Sequence, residues 1–160
     1  QTDWAARLVP MAEALRFHYD VDGDNFTSAG AASVEVKRKL RQLGFDAETI
    51  RRVSIAMYEG EINMVVHARG GNADVYVDKD CITIILADSG PGIPDIDLAM
   101  QEGYSTAPDN IRALGFGAGM GLPNMKRYTD EMKIDTVLGK GTTVTMKVYF
   151  NTGKSTTPVS

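Results

Sequence analysis

The sequence predicts an α+β fold: a two-layer α/β sandwich, with helices on one face of a mostly antiparallel mixed sheet. Two observations carry this reading. Hydrophobic periodicity runs in the order strand, helix, helix, strand, strand, helix, strand, strand, and short turns join the last two strand pairs as hairpins. Two glycine-rich stretches interrupt that order between the third strand and the last helix.

The first strand is Ala14 to Val21, where Leu15, Phe17, Tyr19 and Val21 alternate with Arg16, His18 and Asp20. After the turn Asp22-Gly23-Asp24, a helix is expected over Phe26–Leu43, with Ala32, Val36, Leu40 and Leu43 near one face and Gly44 at its end. Asp46 is the N-cap of a second helix running to about Ala68, with Glu48 in its first turn. Ile50, Val53, Met57, Ile62, Val65 and Val66 form its buried side, and Gly70-Gly71 stops it. Strands Ala73–Val77 and Ile82–Ala87 are joined through Asp78-Lys79-Asp80. A helix from Leu122 to Asp130, a strand over Met132–Val137, a Gly139-Lys140-Gly141 turn and a strand Thr143–Phe150 complete the order. Residues 1–12 read as an N-terminal extension, 13–150 as one domain and 151–160 as a polar tail.

Composition bounds the function. A chain of 160 residues, 43% hydrophobic and 24% charged, has the make-up of one ordinary globular domain. A net charge of −4 without a long basic run argues against a nucleic-acid binder. The single Cys81 excludes an intramolecular disulfide and fits a reducing compartment. No apolar stretch approaches the ~18–20 residues of a membrane span, and the start Gln1-Thr2-Asp3-Trp4 has no signal-peptide layout. The expectation is a soluble cytoplasmic protein with no membrane partner.

Three motifs carry chemistry. In Gly115-Phe116-Gly117-Ala118-Gly119-Met120-Gly121-Leu122 a glycine stands at every second place, so no side-chain stripe is left to bury. Such a run can bring bare backbone N–H groups against phosphate and deliver the N-terminus of the next helix to it. Glu59 and Asn63 are four apart on one helix and therefore share a face. An amide oxygen there is a reasonable Mg²⁺ ligand beside a triphosphate, and a carboxylate one turn earlier can order or deprotonate a hydroxyl. Read alone, both are solvent-facing helix residues. Asp88-Ser89-Gly90-Pro91-Gly92 follows a strongly apolar strand, and a carboxylate there can accept from the exocyclic amine of adenine, selecting against guanine. Gly90 and Gly92 permit a tight reversal and keep side chains off the base.

Other residues have lesser claims. Thr142 or Thr143 could place a hydroxyl beside Asp88, although Gly139-Lys140-Gly141 reads equally as a hairpin turn. Ser105, Thr106 and Arg112 lie in the long irregular segment of about 103–120, where Arg112 could reach a γ-phosphate. His67 continues the Glu59–Asn63 stripe and is expected to be a structural hydrogen-bonder, Glu61 a surface charge, and Asp95-Ile96-Asp97 a helix start. Lys126 and Arg127 read as a solvated helix face, with a partner-binding edge as the alternative.

With these motifs in this order, the chain resembles the GHKL (Bergerat-fold) ATPase superfamily over about residues 12–150. Glu59-Gly60-Glu61-Ile62-Asn63 resembles its N box, Asp88–Gly92 its first glycine box, Gly115–Leu122 its second, and Gly141-Thr142 its closing Gly-Thr motif. Within the superfamily it looks most like the bacterial anti-sigma regulatory factors, serine/threonine protein kinases of partner-switching systems. Gly103-Tyr104-Ser105-Thr106 and Gly119-Met120-Gly121-Leu122-Pro123-Asn124-Met125-Lys126-Arg127 carry that closer likeness. No dimerisation and phospho-acceptor helix pair and no transducer domain are expected here.

The resemblance implies that ATP or ADP binds with Mg²⁺, that Asn63 holds the metal and that Asp88 reads adenine. Gly90, Gly92, Gly115, Gly117, Gly119, Met120, Gly121, Leu122 and Thr142 would line the nucleotide. It also implies Glu59 as general base for a serine or threonine hydroxyl on a STAS-domain, anti-anti-sigma-like partner, with a sigma factor or other regulator as a further partner. Ser105–Leu114 is longer than the corresponding segment expected of the switch kinases. Alternatives are a nucleotide-gated regulator-binding module with little catalysis and the catalytic domain of a split histidine kinase. The Phe26–Leu43 helix could support a homodimer or be an ordinary solvated face.

Overall fold

A computed structural model of the chain describes residues 14–102 and 121–150. Its elements are β1 (Leu15–Asp22), α1 (Ala31–Gln42), α2 (Ala47–Ala68), β2 (Gly70–Val77), β3 (Cys81–Ala87), the short α3 (Ile96–Ala99), α4 (Gly121–Arg127), β4 (Glu131–Val137) and β5 (Gly141–Tyr149). The strands form one sheet in the order β1-β2-β3-β5-β4.

Every neighbouring pair is antiparallel, so the described sheet is antiparallel throughout rather than mixed. The connections explain this. Two helices separate β1 from β2, so the chain goes down and back before β2 begins, and Asp22 at the end of β1 pairs with Gly70 at the start of β2. The links β2–β3 and β4–β5 are hairpins. The directions therefore alternate across the sheet: β1, β3 and β4 run one way and β2 and β5 the other, with β5 inserted between β3 and β4.

One sheet face is apolar because alternate residues line it. Val75, Ile84 and Met146 stand opposite one another across three strands, as do Ala73, Leu86 and Val144, and all are buried. Val36 and Leu40 of α1, Val53, Ala56 and Met57 of α2, and Leu122 and Met125 of α4 join the same core. The alternate positions are mostly polar, with Asp74, Tyr76, Thr83 and Lys147 among them and Ile85 an apolar exception between Asp74 and Thr145. Helices thus lie on one face, as the periodicity predicts. Among the described residues no helix is long and apolar enough to cross a membrane.

Local boundaries differ from the expectation at two places. The helix expected over Phe26–Leu43 is broken: Phe26–Ser28 is a single 3-10 turn capped by Asn25, and α1 starts only after Gly30, whose φ is +97°. At the far end of α2, Arg69 (φ +63°) makes the left-handed cap and donates its N–H to Met64. Gly70 and Gly71 do not stop the helix; they are the first residues of β2. The N-cap role of Asp46 holds, with its carboxylate accepting from both the backbone and the hydroxyl of Thr49.

Candidate functional site

Helix α2 spans 22 residues, about 33 Å, and one of its faces carries Glu59, Asn63 and His67 at successive turns. Tertiary packing gives each a different neighbour. Glu59 Oε2 accepts from Asn124 Nδ2 of α4 at 3.0 Å. The Asn63 amide lies on the first residue of α4, where a Cβ on Gly121 would stand 2.8 Å from Oδ1 and 2.9 Å from Nδ2. Any larger residue at 121 would displace that amide. Asn63 Nδ2 also reaches Met125 Sδ at 3.9 Å.

The last turn of α2 meets the loop after β3. Gly90 packs on Ala68 so closely that a Cβ there would lie 2.6 Å from the Ala68 methyl. His67 is exposed on one side, yet the protein packed on the other desolvates its ring and pushes its pKa below the ordinary value, with the charge of Asp88 opposing this in part. No hydrogen bond to another described residue engages the ring.

Asp88 continues β3 and is held from two sides. Its Oδ1 accepts from the backbone N–H of Gly90 at 2.9 Å and of Thr142 at 3.1 Å, while its own N–H donates to the Thr142 carbonyl at 2.9 Å. With Oδ1 doubly engaged, Oδ2 is the acceptor left for a ligand amine. Thr142, rather than Thr143, is therefore the residue beside Asp88, and it acts through its backbone. Its hydroxyl is buried against Thr136 Oγ1 at 2.9 Å, and Thr136 Oγ1 also accepts from the Ile93 N–H at 2.8 Å. Gly92 sits at φ +85° under Val137 and Leu138, a backbone conformation that glycine adopts without strain.

Glu61 corrects an expectation. It is 2% exposed, not a surface charge, and its carboxylate accepts three backbone N–H groups at 3.0 Å each, from Gly30, Ala32 and Ser33 at the start of α1. The physical reason is the break at Gly30: it opens the N-terminus of α1 toward α2, and a carboxylate fills the orphaned donors. Asp95 caps α3 through the Leu98 N–H, as expected of a helix start.

The structure thus brings Glu59, Asn63 and Gly121 together, and Asp88, Gly90 and Thr142 together, with α2 joining the two groups. Leu122 is buried in the core beneath α4. Gly115, Gly117, Gly119 and Met120, with Ser105, Thr106 and Arg112, lie outside the described residues. Sequence reasoning missed Thr136 and the contact of Asn124 with Glu59. Thr136 carried no local signal; Asn124 stood three residues after Gly121, on the helix expected to approach the ligand.

Comparison with known proteins bears on the family and the fold. The family model described as the histidine kinase-like ATPase domain matches residues 25–148. The chain is similar to the serine/threonine-protein kinase RsbT of Bacillus subtilis (strain 168), with 34% identity over 108 residues, 65% of this chain and 75% of that protein. It is also similar to the anti-sigma F factor of Clostridium novyi (strain NT), with 34% identity over 122 residues, 72% of this chain and 82% of that protein. The crystal structure of the RsbU and RsbW domains of a Mycobacterium tuberculosis protein shares the fold, with a TM-score of 0.58 at 17% identity. That likeness covers 84% of this chain and 32% of the longer one.

Proposed function

Because this chain belongs to the histidine kinase-like ATPase domain family, we propose that it is an ATP-dependent serine/threonine protein kinase of a regulatory partner switch. It transfers the γ-phosphate of ATP to a seryl or threonyl hydroxyl of a STAS-domain partner, in the cytoplasm, with residues 13–150 as the kinase domain. What supports the choice of phosphoryl acceptor is the similarity to relatives named as a serine/threonine-protein kinase and as anti-sigma factors.

The observation that carries the nucleotide reading is the held carboxylate of Asp88. Two backbone donors fix Oδ1, so Oδ2 accepts from the adenine amine in a set direction, and a guanine carbonyl in that place would face it acceptor to acceptor. Asn63 then stands along α2 toward the phosphates. Its single neutral oxygen, in a region where no group of three or more His, Cys, Asp or Glu side chains gathers among the described residues, suits Mg²⁺ that arrives with the nucleotide, because that ion keeps phosphate and water ligands. Bound there, Mg²⁺ would neutralise developing charge on the phosphates. Glu59, one turn earlier, takes the proton of the attacking hydroxyl.

Calorimetric titration with ATP, with and without Mg²⁺ and with GTP as base control, tests the site. ATP binding that weakens without Mg²⁺, excludes GTP and falls at least about tenfold in Asp88→Asn is expected. Equal affinity of the variant and the parent for ATP would remove Asp88 from base recognition. Transfer of labelled γ-phosphate to a purified STAS-domain protein, lost in Glu59→Ala, tests the chemistry; transfer that survives the substitution would take Glu59 out of the base role.

A further inference from the structure

The contact on Glu59 is the end of a longer chain of bonds. Asn124 donates from Nδ2 to Glu59 Oε2 at 3.0 Å, and its Oδ1 accepts from Arg127 Nη1 at 3.2 Å. Arg127 Nη2 in turn pairs with Glu102 Oε2 at 2.6 Å. We propose that Asn124 is the positioning residue of Glu59, and that the Arg127–Glu102 ion pair holds Asn124 in the orientation this requires. The inference rests on the reading of Glu59 as general base.

The chemistry of the neighbours fixes the direction of the amide. A guanidinium only donates and an ionised carboxylate only accepts. Only one of the two flip states of Asn124 satisfies both, with oxygen toward Arg127 and nitrogen toward Glu59. The bond on Oε2 fixes the plane of the Glu59 carboxylate and leaves Oε1 for the reacting hydroxyl. An uncharged donor orients a carboxylate while stabilising its ionised form less than direct contact with a guanidinium would. Arg127 is kept one residue back from Glu59, which is the arrangement a base needs.

The placement in the chain adds to the argument. Asn124 and Arg127 are three apart on α4 and so share a face. Glu102 immediately precedes residue 103, and α4 begins at Gly121. The ion pair therefore joins the two stretches that flank residues 103–120, and through Asn124 it ties both to the base. Arg127 and Glu102 are about half exposed, so a lone surface pair here contributes little stability. Its consequence is orientation.

Two measurements test this. The first is the ¹³C resonance of the Glu59 side-chain carboxylate at pH 7 in the full chain, in wild type, Asn124→Ala and Arg127→Ala. It should move in both variants while the backbone amide spectrum away from α4 stays in place; an unmoved resonance in both overturns the proposal. Arg127→Ala keeps the test alive if Asn124→Ala does not fold, because Arg127 reaches the amide from the exposed side. The second is hydrolysis of γ-labelled Mg²⁺-ATP by the protein alone, with water in place of the partner hydroxyl. Asn124→Ala should lower kcat about tenfold with KM for ATP within about twofold. In a Glu59→Ala background it should cost nothing further. An equal loss in both backgrounds overturns the proposal. A wild-type protein that binds and turns over no ATP sinks the kinase reading, and the carboxylate resonance still decides the role of Asn124.

Discussion

Glu61 and Ser33 are 28 residues apart in sequence, and the carboxylate of one accepts the backbone N–H of the other at 3.0 Å in a buried setting. With Gly30 and Ala32 bound by the same side chain, a single residue of α2 satisfies most of the free donors of α1. Glu59, two positions earlier, is turned to the candidate site. One short segment of helix therefore holds a carboxylate that binds backbone donors and, on another face, the carboxylate proposed for the chemistry.

Removing the Glu61 side chain should be costly. Glu61→Ala leaves three buried N–H groups without a partner, and a loss of about 3 kcal/mol is expected, with Glu61→Gln costing less because one acceptor oxygen remains. Glu59→Ala should change stability by under about 1 kcal/mol. Urea unfolding of the three variants checks this: Glu61→Ala should shift the midpoint strongly at unchanged slope, and equal midpoints for Glu61→Ala and Glu59→Ala would refute the division of roles.

Gly121→Ala should uncouple ligand affinity from stability. The new methyl would stand 2.8–2.9 Å from both polar atoms of the Asn63 amide, a side-chain end that can swing away. The helix gains a better former at its first position, while the Mg²⁺-ATP affinity should fall roughly tenfold, in line with the lower end of overpacking costs. Thermal unfolding beside calorimetric titration separates the two quantities. Unaltered affinity would mean that the Asn63 amide is not the group at the phosphates.

The two histidines should titrate on opposite sides of 6.5, the ordinary value. His18 is raised by its hydrogen bond to Asp74 and then by that residue's charge, with Nδ1 2.8 Å from Asp74 Oδ1. His67 is lowered by desolvation, which the charge of Asp88 only partly offsets. The stability contributed by His18 is fully present below its unfolded pKa and is lost as pH rises through its folded pKa. For His67 the sign is reversed: the unfolded chain takes up the proton first, so stability falls as pH drops from 6.5 toward the folded pKa. Proton NMR of the two imidazole Hε1 signals measures both midpoints. Asp74→Asn should bring His18 back toward the ordinary value and leave His67 where it was.

How much of this was legible beforehand follows from the range of each interaction. Alternation in Leu15–Val21, the apolar run Ile82–Leu86 and the i, i+4 spacing of Glu59 and Asn63 are local patterns, and each element they mark is present. The motifs around Asp88 and Gly121 were readable for the same reason, since few residues permit a close backbone approach. The sequence by itself determined the layers, the succession of elements and the residue types available to bind a nucleotide. Only the tertiary structure decided that Glu61 faces inward, that Thr142 serves Asp88 through its backbone, and that Asn124 stands on Glu59. Each of those is a hydrogen bond between residues 28–65 positions apart, made when α1, α2, α4 and the sheet pack together. No periodicity within one element encodes a partner on another.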